Sequence, residues 1–425
     1  MFSQLIIKTE EDGQRHAIVT TPKVKTVVRN HFNCQTLQGA RLENQPTNPQ
    51  SCFGDHWEEQ HFYPELMTST MKLTSTVLSP ISLAYLEDSG WYIANYSQSN
   101  ILPWGHGVGC DFAKKPCLHL SKKNNQAGKK TILPSHSRGF FCNERVLGCS
   151  AGLTHKMGCI IIDYSGPDYA YSNIPPPPKH SQYFSDPNLG GPSQSNFCPV
   201  YGSPLLGYSY DDLSCANANN QEKFLKVFNN YDEYYGNGSK CFETNTGSGR
   251  CYPTQCIRNP PSLQVLLKGK WYSCNYDFQE ITLRSPSGLA RLKYDVVICP
   301  RLSSACPDLF CPVNCAGRGI CDYEHTINGT IYPTCKCFNK SDSSAGCTES
   351  YTPKAYLQDN TKLINVVDDY FDSWVDSYFE ECDADLKCFI SAHWKLITCC
   401  ALSTVAIFCC IYISFCSKKN RHKKK

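Results

Sequence analysis

Twenty-three of the chain's 28 cysteines are scattered between Cys34 and Cys388, and that density constrains the fold more than any other feature. Reducing compartments keep thiols unpaired, and cytosolic chains rarely carry cysteine at this level. A set of zinc clusters would need paired C-x2-C knuckles, which are absent, and nearby histidines, which are sparse. Disulfides in an extracellular chain are therefore expected. Four Asn-x-Ser/Thr sequons, at Asn95, Asn237, Asn328 and Asn339, point to the same secretory route and are the expected glycosylation sites.

The last five cysteines lie in a different setting. Residues Leu396 to Cys416 form 21 consecutive uncharged positions. At about 1.5 Å per residue such a helix spans roughly 30 Å, the thickness of a bilayer core. The tail 417–425 holds six Lys/Arg and no acid. The positive-inside rule puts that tail in the cytoplasm and everything before residue 395 outside. A single-pass type I protein of the cell membrane is the expected localisation. Without the tail, 35 Lys/Arg face 38 Asp/Glu, so the net charge of +3 carries no basic footprint for nucleic acid. The tail basics instead suit contact with anionic lipid.

Along the chain, Thr21 is an expected N-cap, with Pro22 at the first helical position and Val24, Val27, Val28 and Phe32 on one face. A second helix starts at Ser79-Pro80 and stops at Gly90, and Asp55 to Thr70 between the two reads as loop and turn. From about residue 105 the pattern shifts to short apolar runs, such as 159–163 and 294–298, that suit strands. Pro175 to Pro178 reads as an exposed loop. Residues 348–395 form an acidic, aromatic stalk, either an amphipathic helix near the membrane or a solvated spacer.

The block 306–347 contains Cys311, Cys315, Cys321, Cys335, Cys337 and Cys347, with Gly317-Arg-Gly319 before the third and a Cys-x-Cys pair. This pattern resembles an EGF-like module. The resemblance implies pairing of first with third, second with fourth and fifth with sixth; spacing alone leaves every connectivity open.

His56-Trp57-Glu58 and Glu65-Leu66-Met67-Thr68 are the residues on which a function can be argued, with His56 and Met67 at their centre. A catalytic zinc takes three protein ligands and keeps one position for water. Around them, Phe32-Asn-Cys34, Leu42-Glu-Asn-Gln45, His56-Trp57-Glu58, Glu65-Leu-Met-Thr68, Leu102-Pro-Trp-Gly105, Phe141-Cys142 and Phe197-Cys198-Pro199 follow in one order. That series resembles the leishmanolysin (invadolysin) zinc endopeptidases, of the metzincin clan, across roughly residues 18 to 300. The resemblance implies that His56 is the third zinc ligand and Met67 the Met-turn residue beneath the metal. It makes 1–55 the remnant of the insertion before that ligand, with Cys34 and Cys52 in structural disulfides. Residues 56–104 become the Met-turn and following helix, and 105–300 the disulfide-rich C-terminal subdomain.

One departure matters. No His-Glu-x-x-His occurs in the chain. His56 and His61, five residues apart, would diverge by roughly 140° on a helix and cannot replace ligands one turn apart. Glu58 and Glu59 are near in sequence, but nothing there sets either against a metal. Residues 1–12 also lack the basic and apolar regions of a signal peptide. The expectation is an upstream portion carrying the signal, any pro-region and the catalytic helix, with zinc bound there and not tightly by this chain.

The fold expected is α+β, with few helices, many short strands, an EGF-like module and one transmembrane helix. The function expected is a membrane-anchored zinc metalloendopeptidase, inactive in this form. Its partners would be peptide substrates, or matrix and cell-surface proteins. The alternative is a non-catalytic surface adhesion glycoprotein on the same scaffold.

Overall fold

The valine face of the first helix organises the core. In the computed structural model, α1 (Pro22–Phe32) buries Val24, Val27, Val28 and Phe32 to 1% exposure or less. They pack against Trp57, Phe62, Ile81, Leu102, Trp104, Phe112 and the Phe140-Phe141 pair. Each such side chain contributes about 1.5–3 kcal/mol by leaving water. Thr21 sits at the N-cap as expected, but its side chain makes no capping hydrogen bond. Asp88 does that work: its carboxylate accepts from the Lys23 and Val24 N–H groups at 2.8 and 3.0 Å. Asp88 closes helix α3 (Pro80–Asp88), whose own N-cap is Ser79 and which ends just before Gly90.

The structure describes residues 5–9, 15–44, 54–70, 76–121, 129–166, 174–203, 213–221, 233–283 and 295–349. Residues 1–350 form one compact unit and 351–425 a second. The stalk from residue 351 on, the apolar run and the basic tail belong to the second unit and lie outside the described residues, as does Cys52. Among the described residues no helix is long and apolar enough to cross a membrane.

The architecture is mixed, with few helices, many short strands and many disulfides. Strands β1 (Leu5–Thr9), β2 (Arg15–Val19) and β3 (Ala40–Leu42) make an antiparallel sheet beside α1. A second small sheet joins β4 (Leu147–Cys149), β5 (Lys156–Cys159) and β6 (Tyr201–Ser203) in the order β6-β5-β4. The run 159–163, expected as one strand, ends β5 at Cys159 and resumes as a separate pair at Ile162–Asp163. Pro175 and Pro176 are exposed, and Pro177 is buried.

The largest sheet has six strands: β7 (Ser239–Thr244), β8 (Gly249–Arg258), β9 (Pro261–Leu267), β10 (Lys270–Cys274), β11 (Glu280–Leu283) and β12 (Asp295–Ile298). Their order is β10-β9-β8-β7-β12-β11. Leu263, Val265 and Leu267 alternate into its core with Phe242 and Tyr252. The expected strand at 294–298 is β12.

Ten disulfides take up every cysteine among the described residues. Cys34 pairs with Cys110 across a separation of 76 residues. Four bridges staple the large sheet: Cys149–Cys241, Cys215–Cys251, Cys256–Cys306 and Cys274–Cys299. In the last cysteine block the bonds are Cys311–Cys321, Cys315–Cys335 and Cys337–Cys347. A block this small builds little core of its own, and crosslinks substitute for it.

That block is docked on the helices. The buried Asn30 of α1 donates to the carbonyls of Asn314 (3.0 Å) and Gly319 (2.9 Å) and accepts from the Cys321 N–H (3.0 Å). The Arg318 guanidinium pairs with Glu87 of α3.

Candidate metal-side wall: His56 and the Met67 turn

His56 lies in the loop between β3 and the single-turn helix α2 (Glu59–Phe62). The loop is pinned by its backbone to β3: Glu43 N–H donates to the His56 carbonyl (2.9 Å) and Glu58 N–H to that of Arg41 (3.1 Å). The His56 ring is held from one side. Its Nδ1 lies 3.0 Å from Glu43 Oε2 and 3.1 Å from Asp55 Oδ1. The Glu43 side chain is 5% exposed, that of Asp55 48%, so Glu43 is the fixed partner. Burial raises the Glu43 carboxyl's pKa, while hydrogen bonds from Ser69 and His56 and the His56 charge oppose that rise. A carboxylate on one imidazole nitrogen orients the other and raises its basicity toward a metal.

Met67 stands directly across from this loop, its carbonyl accepting from the Trp57 N–H at 2.9 Å. Its side chain is about half exposed, like that of Leu66, rather than covered. Beneath the turn lies a buried carboxylate, Glu65, to which the sequence reading gave no role of its own. Glu65 accepts from the Met67 N–H, from Ser79 N–H (3.2 Å) and Oγ (2.8 Å), and from Ser82 Oγ (2.6 Å). Ser82 Oγ in turn accepts from Trp57 Nε1 at 2.9 Å. One carboxylate thus ties the Met67 turn, the residue after His56 and the start of α3 together. Burial raises its pKa, and the four donors pull the other way. Its sequence signal was the Glu65-Leu-Met-Thr run itself.

Replacing Glu65 with Ala leaves those donors buried without an acceptor, each at about 1–3 kcal/mol. We expect a loss of about 3 kcal/mol in urea unfolding of the disulfide-intact chain. A loss below about 1 kcal/mol would show that the turn is held by other contacts.

The two glutamates that follow His56 are engaged elsewhere. Glu58 is fully buried and caps α2 through the Gln60 N–H (3.3 Å), and burial lifts its pKa to about 8. The Glu59 carboxylate takes the Thr70 hydroxyl. His61 sits inside α2 with its ring against Phe32 and Phe62, buried and held well below the usual histidine pKa by desolvation. His56 precedes the helix, so the two imidazoles belong to different elements.

As a zinc centre the wall is partial. Among the described residues the metal-capable groups are the Glu43-Asp55-His56 cluster and three cysteines, Cys311, Cys315 and Cys335, which are all in disulfides. Two carboxylates converging on His56 Nδ1 fit an oriented ligand. They do not supply the other two ligands of a catalytic zinc. The four sequon asparagines are all exposed.

A family model described as leishmanolysin matches residues 3–316. A leishmanolysin-like peptidase of Drosophila melanogaster is 30% identical over 318 residues, 68% of this chain and 44% of that protein. One of Caenorhabditis briggsae is 27% identical over 328 residues, 70% of this chain and 47% of its own length. The leishmanolysin of Leishmania tropica is 26% identical over 240 residues, 55% of this chain and 32% of its own. The chain spans about half the length of the first two relatives. With that match and its fold, the chain belongs to the leishmanolysin family of metallopeptidases.

Proposed function

We propose that the chain forms one wall of the catalytic cleft of a membrane-anchored, cell-surface zinc metalloendopeptidase. His56 is the third zinc ligand and Met67 the Met-turn residue. The observation that carries this is the carboxylate-held imidazole of His56 beside a turn locked by Glu65. A His-Glu-x-x-His helix, absent from this sequence, would supply the remaining ligands and the general base. Bound zinc supplies Lewis-acid polarisation of the scissile carbonyl and a water made acidic enough to attack it. In that setting Glu43 orients His56, and Trp57, Ser82 and Glu65 fix the loop's distance from the turn.

The cysteine block 306–347 is read as an EGF-like module, because its bonds pair first with third, second with fourth and fifth with sixth. Glycans on the four exposed asparagines and a helix at 396–416 complete the surface protein. The substrates are proteins or peptides.

Among the described residues the metal-capable cluster at His56 holds no second histidine, and this favours the other reading, a non-catalytic surface glycoprotein that binds through the same scaffold. Metal analysis separates the two. The purified chain is expected to retain no stoichiometric zinc and to leave casein intact. A form extended at its N-terminus through a His-Glu-x-x-His segment is expected to hold one zinc and cleave casein. An extended form that binds zinc no better than the short one would leave the binding reading standing.

A further inference from the structure

Two adjoining cavities open beside α2, the first among β2, β3 and α1 and the second among β2, β3 and the segments around Lys115 and His180. One of about 360 Å³ is walled by the apolar side chains of Ile18, Val28, Phe32, Leu37 and Phe62. The other, about 150 Å³, carries His16, Lys115 and His180. Arg41, His61 and Lys114 line both. Among the described residues no carboxylate lines either cavity. An apolar slot thus runs into a cationic end.

His61 adds an independent sign. Its ring is buried, and Nδ1 has no hydrogen-bond partner. The ring bonds the Ala113 backbone, so Nδ1 is the nitrogen left to meet an occupant. An unpartnered polar atom at this depth is unfavourable unless something fills the site. Arg41 is the cation whose charge reaches that ring most strongly, with His16 beside it. An anion placed among them turns that unfavourable field into an attraction, and the imidazole takes one proton from solvent to become a donor through Nδ1.

We propose that this pair of cavities is a carboxylate-binding subsite. It takes an acidic residue carried on an apolar stem, as in a peptide with a hydrophobic residue beside glutamate. The apolar wall distinguishes such a ligand from inorganic phosphate, which has no stem to bury. The inference rests on the peptidase reading only for the identity of the ligand as substrate. Arg41 on β3 and His61 on α2 flank in sequence the loop that carries His56.

The test needs no zinc and no turnover. The full chain is titrated by calorimetry with acetyl-Phe-Glu-amide, with its glutamine isostere and with inorganic phosphate. We expect the glutamate peptide to bind at least tenfold tighter than the glutamine peptide and to tighten as pH falls from 7.5 to 6. We expect Lys114→Gln, at an exposed position, to remove most of that advantage. Equal binding of the two peptides would overturn the proposal, as would a Lys114→Gln chain with undiminished preference. Phosphate competing as well as the glutamate peptide would overturn the apolar-stem assignment. Because binding is read directly, absence of the preference in a chain whose extended form cleaves casein would sink the subsite and leave the peptidase reading intact.

Discussion

Replacing His56 with alanine in the N-terminally extended form will abolish zinc retention and peptidase activity together. A catalytic zinc has three protein ligands, so the loss of one leaves a pair that cannot hold the metal against chelators. Replacing Glu43 with alanine removes only the carboxylate that orients His56, and the expected cost is about 10–100-fold in zinc affinity or activity. Asp55, half exposed beside the same nitrogen, should matter less than Glu43. The graded order, His56 beyond Glu43 beyond Asp55, is the signature of a ligand with an orienting partner. Zinc content by mass spectrometry and kcat/KM on a casein-derived peptide read it out. Full activity in His56→Ala would remove His56 from the metal and leave its ion pairs as structural contacts.

How much of this was legible in the residues depends on how far apart the partners lie. The face of α1 follows from local spacing, and its four apolar residues are buried as that spacing requires. Asn30 and His31 on the same helix are polar, yet both are buried. Asn30's partners Asn314, Gly319 and Cys321 lie more than 280 residues away, and His31 meets Trp104 and Asn314, all beyond any local pattern. The Asp88 cap is 65 residues from the backbone group it serves. The hairpin of β9 and β10 was within reach: Leu263, Val265 and Leu267 alternate, and Lys268-Gly269 supplies the turn between the two strands. At the site, His56 and Met67 were legible as residue types, and their pairing through Trp57 was not. Glu65 was hidden for a further reason. A glutamate reads as surface until four donors are seen converging on it.

The same long-range burial sets an acid sensitivity at the contact between the helices and the cysteine block. His31 and His106 stack at 5.4 Å between ring centroids, both buried. His31 Nε2–H donates to the Trp104 carbonyl (2.8 Å), and its Nδ1 faces the Asn314 amide at 3.4 Å. His106 Nδ1–H donates to the Ser303 carbonyl at 2.9 Å. Desolvation, then for His31 its neighbour His106, lowers these pKa values from 6.5 to about 3 and about 4. The folded state therefore binds fewer protons than the unfolded one. The stabilisation is complete above pH 6.5 and falls away as pH drops from there toward 3–4. At pH 5 each ring has cost about 2 kcal/mol relative to pH 7.5, roughly 4 kcal/mol together. Glu58, with its pKa lifted to about 8, titrates in the opposite sense, so total stability alone is a poor readout. The measurement is the difference in urea-unfolding free energy between the native chain and a His31→Gln/His106→Phe double variant. Between pH 7.5 and 5 that difference should move by about 4 kcal/mol in the variant's favour. A shift of less than about 1 kcal/mol would mean that the two rings are protonated without breaking their contacts.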